Sequence, residues 1–356
     1  MQELFERDSA AIEAEIAQLR RDLGAKVSIV AHHYQSDAIV RQAEIVGDSL
    51  QLAQRVANLE SGNIVFCGVN FMAESAALVA RPGQRVFLPA ADAKCVMAQM
   101  TPAGLLDTVL QKLEFGGRRV LPLAYVNTSV AVKSVVGKHG GAVCTSSNAE
   151  KMLRWALAQG ESVLFLPDKN LGRNTARQLG LPEEEIKLLD VRGQGSHLPK
   201  SGESLPKLLL WPGCCAIHAR FRASDILALR GTHPGIKIAV HPECAPEIVQ
   251  AADAAGSTSF LIDYAAAAPD GSVVGIGTEI NLVERLIKQH AGRITIVPLR
   301  VTACADMGRT TPQKLLHCLR SIAGQTGPEL APAVPVTVPE QLIPDARLSL
   351  TRMLAV

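Results

Sequence analysis

Short, continuous apolar runs alternate along this chain with stretches in which apolar residues recur at helical spacing. Near the start, Ile12, Ile16 and Leu19 recur three or four residues apart and predict an amphipathic helix over residues 9–24. Helical stretches are predicted around residues 36–58 and 71–80, and apolar runs stand at residues 27–31, 63–67 and 85–89. Runs of this kind are typical of strands buried on both faces of a parallel sheet. The alternation therefore predicts an α/β fold.

The same alternation restarts twice. A second set of apolar runs stands at residues 119–124, 142–144, 162–166 and 208–211, and a third at residues 236–240, 258–262, 273–276 and 294–297. We predict three αβα domains, at 1–97 (with the N-terminal helix), 98–215 and 216–310, followed by a C-terminal extension over 311–356 that packs back on them. Residues 191–206, rich in Gly, Ser and Pro, predict a surface loop inserted in the second domain, and residues 345–354 predict a helix.

One cysteine follows the last apolar run of each unit: Cys95, Cys215 and Cys304. Strand ends of three similar units can converge on one point. Three thiolates there would hold an iron–sulfur cluster in which one iron has no protein ligand. Such an open metal position is what Lewis-acid catalysis needs. The other cysteines are predicted to be core residues (Cys67, Cys144), core or surface (Cys318), or neighbours of the site (Cys214, Cys244).

Polar side chains also gather where the strands end. The first strand of each unit is followed in turn by His32 and Tyr34, by Tyr125 and Asn127, and by His241 and Glu243. Hydroxyl groups stand at further predicted strand ends or helix starts, at Ser49, Ser146, Ser257 and Thr258. A single histidine there is usually structural, and a Thr-Ser-Ser-Asn run is often only a helix cap. Their recurrence at the edge where open parallel sheets bind ligands predicts a binding site.

Composition excludes several classes of protein. A net charge of +2 over 356 residues argues against a nucleic-acid partner, and 4% aromatic residues leave little for base stacking. No apolar run approaches the length of a membrane span, and the polar N-terminus does not resemble a signal peptide. Eight cysteines without such a signal favour a reducing compartment, so we expect a cytoplasmic protein without nucleic-acid or membrane partners.

The ordered motifs resemble those of the quinolinate synthases. They include Ala31-His-His-Tyr-Gln35, Gly47-Asp-Ser-Leu50, Tyr125-Val-Asn-Thr-Ser129, Cys144-Thr-Ser-Ser-Asn148, Trp211-Pro-Gly-Cys-Cys215, His241-Pro-Glu243 and Gly256-Ser-Thr258. The resemblance runs from about residue 28 to 311. It implies three Rossmann-like domains in pseudo-threefold arrangement around a central active site. Two features depart from the family pattern: the longer second domain, and Cys304-Ala-Asp-Met307 where a proline usually follows the cysteine.

The resemblance implies a transferase that condenses iminoaspartate with dihydroxyacetone phosphate to give quinolinate, phosphate and two waters in de novo NAD synthesis. It implies a [4Fe–4S] cluster on Cys95, Cys215 and Cys304, with Cys215 preferred over Cys214, and a possible coupling to an L-aspartate oxidase. Catalytic roles fall to Glu243, His241, Tyr34, Tyr125 and His218, with Glu243 as the strongest candidate base. The implied substrate contacts are His32, Ser49, Tyr125, Val126, Asn127, Ser146, His241, Pro242, Glu243, Ser257 and Thr258.

Two alternatives remain open from the residues alone. An aconitase-like hydro-lyase would also need an open iron. A non-enzymatic iron–sulfur or zinc sensor would need the cysteines but not the ring of hydroxyl and imidazole groups.

Overall fold

A computed structural model describes residues 2–115, 117–191, 204–325 and 331–356. It contains three parallel β-sheets flanked by helices, so the predicted α/β class with three Rossmann-like αβα units is confirmed. In the described ranges, no helix combines the length and the apolar character needed to cross a membrane.

The first sheet has the strand order β2-β1-β3-β4. Its strands are β1 (Val27–His32), β2 (Ile45–Gly47), β3 (Asn63–Cys67) and β4 (Arg85–Phe87). The helices around it are α1 (Gln2–Leu23), α2 (Asp37–Val40), α3 (Ser49–Val56) and α4 (Asn70–Val79). The apolar stripe of α1, including Ile16 and Leu19, packs in one core with Ile29 of β1 and with Leu315 and Leu319 from much later in the chain.

The second sheet has the order β6-β5-β7-β9-β8. Its strands are β5 (Val120–Tyr125), β6 (Ala142–Cys144), β7 (Ser162–Leu166), β8 (Ile186–Leu188) and β9 (Leu208–Leu210). Its helices are α5 (Val96–Gln99), α6 (Ala103–Glu114), α7 (Val130–Lys138), α8 (Ala149–Leu157) and α9 (Lys169–Gln178). Every residue of β5 and β7 is buried, as the continuous apolar runs predict.

The third sheet has the order β11-β10-β12-β13. Its strands are β10 (Lys237–Val240), β11 (Ala254–Ala255), β12 (Val273–Gly277) and β13 (Thr295–Pro298). The helices beside it are α10 (Ala223–Thr232), α11 (Pro246–Ala251), α12 (Thr258–Ala267) and α13 (Ile280–Gln289), and the chain continues with α14 (Pro312–Ile322) and α15 (Ile343–Ala355).

The chain folds into two compact units. The first consists of residues 1–95 and 303–338 and holds the first sheet, and the second consists of residues 96–302 and 339–356 and holds the other two. The C-terminal segment is therefore shared between the units. Helix α14 packs on α1 within the first unit, and α15 packs on α7 and β6 within the second. The three-domain boundaries given above stay a prediction.

Several local predictions need correction. The apolar run at residues 258–262 was predicted as a strand, and it lies in helix α12, because the Ser257 hydroxyl accepts a hydrogen bond from the Phe260 N–H and caps that helix. The region 36–58 is not one helical stretch, since β2 separates α2 from α3. The short strands β2, β8 and β11 were not predicted. Most of the predicted 191–206 loop lies outside the described residues.

One glycine lets α15 approach α7 closely. A Cβ built on Gly137 would overlap the backbone carbonyl of Asp345, whereas one built on Gly231, in α10, meets no atom within 4 Å. We expect Gly137→Ala to lower the free energy of unfolding by about 1–3 kcal/mol, because the two helices must separate. The control Gly231→Ala is expected to be neutral or to gain up to about 1 kcal/mol from helix propensity. Urea titrations of both variants test this, and equal stabilities would contradict the close helix contact.

Candidate active site

The three sheets share one topological feature. In each of them the first strand lies between the second and the third, so that the chain leaves β1, β5 and β10 at the point where the strand order reverses. Open parallel sheets bind ligands beyond the carboxyl ends of strands at this point. His32 and Tyr125 are the last residues of β1 and β5, and His241 is the first residue after β10. The fold therefore places the predicted polar residues at equivalent positions of each sheet.

Glu243 lies at the centre of the polar cluster in the second unit. Its Oε2 is 2.5 Å from Nδ1 of His218 and 3.7 Å from Nδ1 of His241. The two imidazole rings stack with their centroids 4.5 Å apart and 19° between the ring planes. The Tyr125 side chain donates a hydrogen bond to the same carboxylate. Glu243, His218 and His241 are all buried, so the carboxylate and the two imidazoles interact away from bulk water.

The charge on Glu243 is set by these neighbours. Burial alone would raise the pKa of Glu243, but the charges of His218 and His241 and the hydrogen bonds from His218 and Tyr125 outweigh it and lower the pKa to about 2. A second buried carboxyl, Asp168, behaves in the opposite way. Burial and the negative charge of Glu243 raise the pKa of Asp168 to about 8. The environment therefore holds Glu243 as the carboxylate, and of the two buried carboxyls Asp168 is the one whose charged form is disfavoured.

Asp168 connects this cluster to a candidate metal ligand. Its Oδ1 accepts hydrogen bonds from the N–H groups of Asn170 (2.8 Å) and Leu171 (2.9 Å), which caps α9. Its Oδ2 accepts one from the Cys215 N–H at 2.9 Å. The carboxyl thus fixes the backbone from which the Cys215 thiol projects. Sequence analysis assigned no role to Asp168, which lies two residues after β7; only the fold shows that it reaches Cys215.

We expect Asp168→Asn to destabilise this corner of the second unit. Whichever way the amide is turned, its NH₂ group faces a backbone N–H, and an unpaired buried group of this kind costs about 1–3 kcal/mol. The control is Asp48→Asn, at the N-cap of α3, where asparagine replaces aspartate with little loss. Thermal unfolding of both variants is the measurement. An Asp168→Asn protein as stable as the control would show that the bond to Cys215 contributes nothing.

A fully buried lysine supports the segment that carries Asn127. The Lys133 ammonium, on α7, donates hydrogen bonds to the carbonyl oxygens of Val126 (2.9 Å) and Thr128. The Oδ1 atom of Asn127 between them is buried and accepts no hydrogen bond from the described residues. That oxygen is available to a ligand donor. Lys133 is a second residue that sequence reasoning missed, because a lysine inside an apolar helix predicts no partner by itself.

Hydroxyl groups from two sheets line one cavity of about 650 Å³ in the second unit. Ser146, Pro242, Gly256 and Ser257 contribute to its wall. Thr258 is buried at the start of α12, one residue after the capping Ser257. Hydroxyl groups near helix N-termini suit a carboxylate or phosphate, since free N–H groups and the helix dipole add to their hydrogen bonds.

The first unit carries its own set of predicted residues. The rings of His32 and Tyr34 meet edge to face, 4.8 Å between centroids, and the Tyr34 N–H donates to Nδ1 of His32 at 3.1 Å. His32 pairs in register with Gly47 of the neighbouring strand. Ser49 is the first residue of α3, directly after its capping residue Asp48. These side chains therefore belong to adjacent strand ends of the first sheet.

The cysteines divide into two groups by exposure. Cys67, Cys144, Cys244 and Cys318 are buried. Burial raises the pKa of all four thiols well above the usual value for cysteine, and that of Cys318 to about 12. Cys95, Cys214, Cys215 and Cys304 are partly exposed. The core assignments of Cys67 and Cys144 are confirmed, and Cys318 is a core residue. The three cysteines expected to bind metal are all partly exposed. Cys95 and Cys304 belong to the first unit and Cys215 to the second.

Cys215 also belongs to a group with ligand character. Within the described ranges, one set of three metal-binding residue types converges: Cys215, His218 and Glu243, whose ligand atoms lie within 4.8 Å of one another. The fold consists of parallel α/β sheets, and its strand ends carry accessible cysteines and a buried carboxylate between imidazoles. These features are typical of an α/β enzyme with a metal-dependent site at the strand ends.

Comparison with known proteins specifies the class further. Residues 14–355 match the family model described as quinolinate synthetase A protein. The chain is 43% identical to the quinolinate synthase of Anoxybacillus flavithermus, with all of this chain and 96% of that relative covered. It is 40% identical to the quinolinate synthase of Bacillus subtilis and 39% to that of Acidobacterium capsulatum, each with 97% of this chain and 93% of the relative covered. The chain belongs to the quinolinate synthetase A family, as the motifs predicted.

Proposed function

We propose that this protein is a quinolinate synthase, a transferase that condenses iminoaspartate with dihydroxyacetone phosphate and releases quinolinate, phosphate and two waters in NAD biosynthesis. The observation that carries the proposal is the buried Glu243 carboxylate, held between His218, His241 and Tyr125 and close to Cys215. Family membership supports the reaction. The site supplies the proton-transfer groups that dehydration and ring closure require.

The residues present fit a [4Fe–4S] cluster. Cys95, Cys215 and Cys304 are accessible thiols, while the four buried cysteines are too deeply placed to serve. A cluster with three cysteine ligands supplies one open iron as a Lewis acid. The Asp168 bond to the Cys215 N–H supports Cys215 rather than Cys214 as the ligand from the second unit.

Glu243 accepts the proton that the substrate loses. Its depressed pKa keeps it ionised at neutral pH, and His218 at 2.5 Å and Tyr125, which both donate hydrogen bonds to the carboxylate, are proposed to shuttle protons with it. Because the carboxylate and the imidazoles interact strongly, the proton belongs to the group rather than to one residue. Tyr34, beside His32, is the corresponding proton carrier proposed for the first unit.

The remaining polar residues bind and orient the substrates. Ser146, Ser257 and Thr258 are proposed to hold carboxylate or phosphate oxygens, with Pro242 shaping the cavity wall. The Oδ1 atom of Asn127 is proposed to accept a hydrogen bond from the substrate. Lys133 fixes this segment through its hydrogen bond to the Val126 carbonyl. His32 and Ser49 are the proposed substrate contacts of the first sheet. The three predicted domains, the cytoplasmic location and the coupling to an aspartate oxidase are parts of the same proposal.

The test is an anaerobic assay of the full chain. Purified protein is reconstituted with iron and sulfide and given dihydroxyacetone phosphate with oxaloacetate and ammonia, which form iminoaspartate in solution. Quinolinate that appears only when the cluster is loaded is the expected result. A loaded cluster without quinolinate would refute the proposed reaction. Dehydration of a dicarboxylate, as in a hydro-lyase, would then be the next activity to assay.

A further inference from the structure

We infer that Cys215, His218 and Glu243 form a binding site for a single borderline-soft divalent cation, Zn²⁺ above all, in the protein that lacks an iron–sulfur cluster. Their ligand atoms lie within 4.8 Å of one another, and all three residues belong to the second unit. A thiolate, an imidazole and a carboxylate are the donors that zinc takes in proteins, and three of them leave a fourth position for water. Mg²⁺ and Ca²⁺, which prefer oxygen ligands alone, do not suit this set.

The imidazole is already oriented as a ligand. Nδ1 of His218 faces the Glu243 carboxylate at 2.5 Å, while Nε2 lies 3.2 Å from the Thr278 hydroxyl. Metal-bound histidines commonly have their second nitrogen fixed by such a hydrogen bond. The stacked His241 ring also restrains His218. An ion that binds Nδ1 therefore meets a ring that does not need to turn.

The other two ligands are held as well. Asp168 accepts a hydrogen bond from the Cys215 N–H, and the Ala219 N–H donates one to the Cys215 carbonyl at 3.0 Å. These two bonds fix the short turn between Cys215 and His218. Tyr125 bonds the Glu243 carboxylate. With zinc–ligand distances of about 2.0–2.3 Å, the ion needs the carboxylate and the ring to separate slightly and the thiol to approach. When the ion binds, both the Cys215 thiol proton and the Nδ1 proton that His218 directs at Glu243 pass to solvent.

This site and the proposed cluster use the same thiolate. An ion bound to Cys215 withdraws that ligand from the cluster, and it also occupies the carboxylate proposed as the base. Zinc is therefore expected to block cluster assembly rather than to support the reaction. Only the expected block of cluster assembly rests on the proposed function. The zinc site itself depends on the positions of its three ligands alone.

The experiment uses Co²⁺ as a spectroscopic substitute for zinc. Cluster-free full-length protein, reduced and kept without oxygen, is titrated with Co²⁺. We expect one equivalent to bind, with a thiolate-to-cobalt charge-transfer band and the visible bands of four-coordinate cobalt, and we expect one equivalent of Zn²⁺ to abolish them. His218→Asn and Glu243→Gln are expected to weaken Co²⁺ binding at least tenfold. Cys95→Ser, the matched control, is expected to bind Co²⁺ as the unchanged protein does.

Two results would overturn the inference. One is a cobalt spectrum that His218→Asn and Glu243→Gln leave unchanged; the other is its loss in Cys95→Ser, which would place the ion among the cluster cysteines. The quinolinate assay on zinc-free, cluster-loaded protein is run separately. Failure there with intact cobalt binding would refute the proposed function alone, and activity without any cobalt binding would refute the zinc site alone.

Discussion

Cys215→Ser is expected to abolish cluster binding, and with it all quinolinate formation. The Cys215 N–H is fixed by Asp168, and its thiol lies close to His218 and Glu243, so this thiolate is the one directed into the candidate site. Serine keeps the backbone bond but is a poor ligand for iron in a cluster, which cysteine thiolates hold. Iron and sulfide content and the visible absorbance after anaerobic reconstitution are the measurements.

The neighbouring cysteine provides the control. Cys214 is also partly exposed, but its N–H lies 3.5 Å from the Met100 sulfur instead of bonding the Asp168 carboxylate. Cys214→Ser is expected to retain a full complement of iron and at least half of the activity. The reverse pattern, with the cluster lost from Cys214→Ser and kept in Cys215→Ser, would assign the ligand to Cys214.

Glu243→Gln is expected to lower kcat by about 10²–10⁴-fold, the usual contribution of a general base, while the cluster spectrum stays intact. Glutamine has nearly the same shape, but it cannot take up a proton from the substrate. The control is Glu247→Gln, on the exposed surface of α11 only four residues away, which should leave kcat unchanged. Steady-state kinetics on cluster-loaded protein test the pair. A Glu243→Gln enzyme with normal turnover would remove Glu243 from the role of base.

The strands that sequence analysis found are those in which burial dominates. Residues 142–144 and 162–166 were placed with the bounds that the structure shows, because strands covered on both faces are apolar at nearly every position. The strands Ile45–Gly47 and Ile186–Leu188 were missed, since three residues that are mostly not buried carry too little pattern. The run at 258–262 became a helix because one hydroxyl capped it, a local signal that apolarity does not reveal.

The candidate site shows the same division. Glu243, His241 and His218 were predicted from motifs at strand ends, and the structure brings the three side chains together. Asp168 and Lys133 were not selected, although both are fully buried and hold backbone groups of the site. Their partners become visible only when strands far apart in sequence lie side by side. Local sequence motifs thus predict the residues that carry reactive groups. The residues that position those groups can be identified only from the folded structure.

The division of the C-terminal segment between the two compact units has a consequence for protein synthesis. The core of the first unit needs Leu315 and Leu319 to cover α1, and α7 of the second unit is covered by residues 343–355. While the ribosome is still translating the third sheet, both units present uncovered apolar surface. Folding domain by domain from the N-terminus, common in large proteins, cannot be completed here. The nascent chain is therefore expected to depend on chaperones until α14 and α15 have emerged from the exit tunnel.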